Sequence, residues 1–182
     1  GGNIDQAKLH FHHPAGEIYA DIAAELDGRK VGFAAELTAL EGAGADGWSP
    51  ALDAVLAAIG KAEATIDAGE AGSPAFVTDV TSRVLSEAAG EYAAAFPSGQ
   101  PVNGEEYQDS RGFVLAVGDM IAVARTRLAE KDATAASALE ATVAELLKAW
   151  PSIEPPAAPV VAVADVEGLV AKYKESAVAL TK

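Results

Sequence analysis

The sequence contains no cysteine, which removes disulfides, thiolate metal sites and a cysteine nucleophile, and leaves cytosol and periplasm equally open. Aromatic residues make up only 6% and β-branched runs of strand length are scarce, so there is little from which to build a sheet. Lys and Arg number 13 against 27 Asp and Glu, for a net charge of −14. That excess repels phosphate backbones and anionic lipid, which argues against nucleic-acid and membrane-surface roles. No stretch approaches the ~20 unbroken apolar residues of a membrane span, so no membrane insertion is expected.

What the chain has in abundance is alanine, 42 of 182 residues, the best helix former. The expected fold is all-α. Apolar residues recur at spacings of three and four in Leu52, Val55, Leu56, Ile59, Ala62 and Ile66, in Leu139, Val143, Leu146 and Trp150, and in Val166, Leu169, Val170, Tyr173 and Ala177. The most regular stripe runs Tyr107, Ser110, Val114, Val117, Ile121, Ala124 and Leu128. Each stripe needs another helix to cover it. Helices are therefore expected near 3–12, 14–27, 31–42, 50–68, 74–96, 104–130, 133–150 and 165–180. Val117, Ile121, Leu139, Val143, Leu146 and Leu169 are the expected core of one bundle.

Start signals support several of these boundaries. Ser49-Pro50 and Ser73-Pro74 each place a hydroxyl cap before a proline at the first helical position. Asn103 with Glu106 reads as a capping box, and Asp165 as the cap of the last helix. Gly42 to Gly47 reads as a turn. Four of the nine prolines fall between Pro151 and Pro159, which predicts an extended strap over 151–164. The expected architecture is an antiparallel up-and-down bundle with short N-terminal helices and a Pro-rich strap before the last helix, residues 165–180. The length suits one domain, 1–182.

All three histidines, His10, His12 and His13, lie within four residues, with Pro14 and Glu17 following. On a continuous helix His10, His13 and Glu17 fall within about 60° of one another, with His12 nearly opposite. Imidazoles and a carboxylate converging in this way suit Zn²⁺, Cu²⁺, Ni²⁺ or Fe. Pro14 favours a helix break, with His13 near an N-cap, where a neutral imidazole is favoured. The alternative is that the imidazoles only cap a helix and bond carbonyls. A carboxylate from elsewhere, Glu91 or Glu106, would fill the open coordination position. Both have plainer roles: Glu87 and Glu91 form a like-charge pair that Arg83 offsets, and Glu106 caps Asn103. Tyr19, Tyr92 and Tyr107 could line a pocket with Trp48, although aromatics at helical spacing are more often core.

Enzymatic readings find no support in the spacing. The chain has no Glu-x-x-His, no His-Glu-x-x-His, no phosphate-binding glycine loop and no Gly-x-Ser-x-Gly, and so no catalytic residues are assigned.

The segments His10-Phe11-His12-His13-Pro14-Ala15-Gly16-Glu17-Ile18-Tyr19, Glu91-Tyr92 and Glu106-Tyr107-Gln108-Asp109-Ser110-Arg111-Gly112-Phe113 resemble a group of exported bacterial helical proteins without an established activity. The pattern is H-x-x-H-P-x-x-E-I-Y, E-Y and E-Y-x-D-x-x-G-F. The resemblance implies a periplasmic or secreted location. A looser likeness to imelysin-like proteins lacks their Gly-x-His-x-x-Glu motif. Gly1-Gly2-Asn3 lacks an initiator methionine and reads as the remnant of a cleaved tag or export signal. The functional expectation is an exported, non-enzymatic binding protein holding a transition metal through the His/Glu cluster, with a metal ion or another envelope protein as partner. The competing expectation is an interaction or structural module with no metal site.

Overall fold

A computed structural model describes residues 7, 8, 10, 11, 15, 19–44, 46–98 and 102–181. The chain is all-α, with no strand among the described residues. Its helices are α1 (Tyr19–Gly28), α2 (Ala34–Glu41), α3 (Trp48–Glu63), the short α4 (Ala68–Ala71), α5 (Pro74–Ala95), α6 (Gly104–Leu146) and α7 (Val163–Ala177). Single 3₁₀ turns, Leu147–Ala149 and Val178–Leu180, follow α6 and α7. Whereas the sequence reads as one continuous domain, the residues sort into two compact units, Gly1–Ala68 and Gly69–Lys182. Each has its own core.

The second unit is a four-helix bundle, because α6 is two helices joined without a loop. Asp132 leaves the helix at φ −156°, ψ 102°, and its Oδ1 accepts from the amides of Thr134 at 3.0 Å and Ala135 at 2.9 Å. It thereby caps the second arm, 133–146, and turns the chain back on the first, 104–131. Arg125 and Glu140 pair across that reversal, Nε to Oε1 at 2.9 Å. The far ends of the two arms meet where Trp150 Nε1 donates to Ser110 Oγ at 2.8 Å. Helix α5 runs antiparallel to the first arm, with Phe96 against Tyr107 at one end and Arg127 on the Gly72 carbonyl at the other. Helix α7 is antiparallel to α5, since Val161 meets Tyr92 and Tyr173 meets Thr81.

The expected stripes are the core. Every member of the 107–128 stripe is buried, as are Leu139, Val143, Leu146, Trp150, Val166, Val170, Tyr173 and Ala177. Leu169 is only half-buried and packs at the edge. The stripe on α3 packs instead in the first unit, around Tyr19, Phe33, Leu37, Leu40, Val55 and Ala58.

Capping followed the sequence in part. Ser73 accepts from the Phe76 amide at 3.1 Å with Pro74 at the first helical position, and Asn103 accepts from the Glu105 amide at 3.1 Å. Asn103 and Glu106 do not form a full capping box: they bond side chain to side chain at 3.5 Å, and the Asn103 amide is taken by the Ala95 carbonyl at 2.9 Å. Ser49 does not cap α3, which begins one residue earlier behind Gly47. Asp165 does not cap α7, which begins at Val163, leaving its carboxylate in the first turn where the helix dipole favours it. Arg83 pairs with Asp79 at 3.0 Å and not with Glu87.

Candidate functional site

The two halves of the proposed metal site fall in different units. His12, His13, Pro14 and Glu17 lie outside the described residues. His10 is half-buried and lines a cavity of about 380 Å³ in the first unit, together with Phe11, Tyr19, Phe33 and Val55. Glu91, in the last turn of α5, and Glu106, in the first turn of α6, belong to the bundle and are half-buried. Among the described residues no three His, Asp or Glu side chains gather in a manner that would hold a metal ion.

The first unit is organised around Tyr19. Its hydroxyl accepts from the Phe33 amide at 2.8 Å, and its ring meets Phe33 edge-on at 5.0 Å. Helix α1 ends in a paired C-terminal turn, the Val31 amide on the Leu26 carbonyl and the Lys30 amide on Asp27, with Lys30 left-handed at φ 61°. That motif usually holds a glycine. A Cβ at Gly32 would displace the Asp27 carboxylate and approach the Tyr19 hydroxyl to 3.1 Å.

In the bundle, the two Glu-Tyr motifs stand at the end of α5 and the start of α6, and their tyrosines hold the proline segment. Tyr92 donates to the Val161 carbonyl at 2.9 Å, Tyr107 to the Ser152 carbonyl at 3.1 Å, and Gln108 Nε2 to the Ile153 carbonyl at 3.3 Å. Both rings are fully buried. Tyr92 meets Trp150 at 4.9 Å and Phe96 at 5.1 Å, and Phe96 meets Tyr107 at 6.0 Å, all edge-on. Such contacts add to the apolar area the rings bury. Of the aromatics singled out in the sequence, Tyr19 and Trp48 belong to the first unit and Tyr92 and Tyr107 to the bundle, where Trp150 is the ring partner of Tyr92.

Burial pushes the Tyr92 and Tyr107 hydroxyls up, against the opposing bonds to strap carbonyls. The Tyr173 hydroxyl is pushed up to about 12, again by burial, against its bond to Thr81. Burial outweighs the bonds and keeps all three tyrosines neutral at ordinary pH, the form in which each hydroxyl donates. Among the described residues no buried side-chain nitrogen or oxygen lacks a hydrogen-bond partner. This polar network of the bundle is complete within the protein and ties helices and strap together.

A family profile describing an iron permease-associated 4-helix bundle domain matches residues 67–182. The chain belongs to this family. Its matched span begins within two residues of the boundary between the two units, so the family domain is the bundle, and the histidine cluster lies outside it. The comparison with curated proteins returns no match, and neither does the comparison with solved structures. The family assignment rests on the bundle, and the finer likenesses, to the motif-bearing exported group and to imelysin-like proteins, gain nothing from it. No described helix is long and apolar enough to cross a membrane.

The signal for the tyrosine clamp was present in the sequence as two Glu-Tyr pairs and a proline cluster. What it lacked was any local indication that they meet, since the bonds join residues 69 and 45 positions apart.

Proposed function

We propose that this chain is an extracytoplasmic, non-enzymatic helical domain that works beside an iron permease and holds a transition-metal cargo through its N-terminal His/Glu cluster. The observation that carries the reading is the family match over the bundle, whose description associates it with iron permeases. The clustering of every histidine beside Glu17 supplies the donors, and imidazole with carboxylate suits Fe²⁺, Zn²⁺, Cu²⁺ or Ni²⁺. His10, His13 and Glu17 are the proposed ligands, and His12 lies to one side. The permease is the proposed partner, and a periplasmic or secreted location follows from that partnership.

The test is calorimetric titration of the full chain with each metal at neutral pH, Fe²⁺ under anaerobic conditions. Binding that weakens as the solution is acidified, because protons compete with the metal for its ligands, and is lost in His13→Ala and Glu17→Ala supports the reading. Equal heats from parent and variants overturn it. A second reading, an interaction module with no metal, draws on the bundle's hydroxyls being spent on its own carbonyls; absence of metal binding favours it.

A further inference from the structure

The described residues of the unit outside the family span leave an apolar groove. Helices α1 and α3 leave between them two adjoining cavities, of about 380 Å³ and about 340 Å³, which share Ile22, Phe33 and Ile59. Ile22 and Leu56 stand at the mouth, 43% and 56% exposed, whereas apolar side chains of this size in so small a unit are needed in its core. Of the charged side chains in the walls, Arg29 is already held by Glu25 at 2.7 Å and by the Thr65 carbonyl at 3.2 Å, which leaves the Glu63 carboxylate to set the sign there. Asp21 and Asp53 stand outside the walls on the same two helices, both exposed. Residues 1–68 as a whole carry eleven carboxylates against four Lys and Arg.

We propose that this groove is the docking site for a basic amphipathic helix of a partner protein. A helix about as long as α3, 16 residues, would lay apolar side chains at i, i+3, i+4 and i+7 into the paired cavities, with Lys or Arg on its flanks meeting Glu63 and the net negative charge of the unit. The same charge disfavours the other occupants. A fatty acid or anionic lipid would bring its negative head to a unit of net negative charge, and a second copy would bring another acidic surface. The inference does not depend on metal binding and would survive its failure.

The experiment titrates the full chain with an 18-residue helical peptide of Leu and Lys in amphipathic order, beside a peptide with Glu in place of each Lys and a scrambled control, by calorimetry. The amphipathic Lys peptide binds, and binding weakens steeply with added salt, since exposed charge pairs are screened within about 8 Å at physiological ionic strength. Ile22→Arg and Leu56→Arg each weaken it at least tenfold, while Val123→Arg, at a position 90% exposed in the other unit, leaves it unchanged. Circular dichroism checks that the variants are folded; Leu56, the more exposed position, carries the test if Ile22→Arg is not. No binding by the Lys peptide, or equal binding to parent and groove variants, overturns the proposal. So does equal binding of the Glu peptide, or of neutral phosphatidylcholine vesicles, or a sedimentation dimer that Leu56→Arg abolishes.

Discussion

The Tyr173 hydroxyl donates to Thr81 Oγ1 at 2.7 Å, joining the last helix of the bundle to the first across 92 residues of chain. Thr81 in turn donates to the Val77 carbonyl at 2.7 Å, and both side chains are fully buried. The pair makes α7 part of the core and not an appendage to it.

Alkaline pH tests this contact. Ionised tyrosine is disfavoured in the fold, with Tyr173 pushed up to about 12 from 10.0, so its contribution to stability is complete below pH ~10 and is lost as pH rises from there toward ~12. Two pH units correspond to about 3 kcal/mol. Tyr92 and Tyr107 act in the same direction. Urea midpoints between pH 9 and 12 should fall, and Tyr173→Phe, at a neutral-pH cost of about 1 kcal/mol, should fall less steeply.

The tyrosine clamp predicts how the strap behaves. Tyr92→Phe and Tyr107→Phe each remove one bond to a strap carbonyl and keep the ring contacts, at about 1 kcal/mol apiece. Limited proteolysis within residues 151–162 should be slow in the parent and faster in the double variant. A strap cut rapidly in the parent would show that the bonds do not hold it.

Asp132 is the sharpest single test of the helix reversal. Asp132→Ala removes an acceptor used by two amides and should cost ~1–2 kcal/mol, while Asp132→Asn keeps most of the cap. Chemical denaturation distinguishes them.

Core truncations should be severe. Ile121→Ala and Leu146→Ala, each at a buried position, should cost ~2–5 kcal/mol, visible as a large drop in the denaturation midpoint.

In the first unit the expected change is a gain. Lys30 adopts φ 61°, where a Cβ costs ~1 kcal/mol or more, so Lys30→Gly should raise the thermal midpoint of that unit.

Most of the bundle was legible in the sequence because its periodicity is local: the stripe from Tyr107 to Leu128 needs only 3.6 residues per turn to define a buried face. The interruption near 131–132 was legible too, as the gap between the helices expected at 104–130 and 133–150, but the cap by Asp132 was not. Ser49 and Asp165 were misjudged because a good capping residue is also acceptable inside the first turn, and packing decided where the chain turned helical. Arg83 had a carboxylate one turn away in each direction, and spacing alone does not choose between Asp79 and Glu87. The division into two cores was not legible, since the stripe on α3 resembles those of the bundle and periodicity does not name the partner of a face. As for the metal candidates, the sequence groups the histidines, while the described fold assigns His10 to one unit and Glu91 and Glu106 to the other.

The tyrosine clamp grips main-chain oxygens, of Ser152 and Val161, and so recognises the course of the strap while remaining indifferent to its side chains. Between those anchors Ile153 and Val160 face solvent, and the prolines limit the backbone without help from neighbours. This stretch is where the bundle would tolerate a grafted epitope or a fluorophore, and where related chains are free to diverge without loss of the fold.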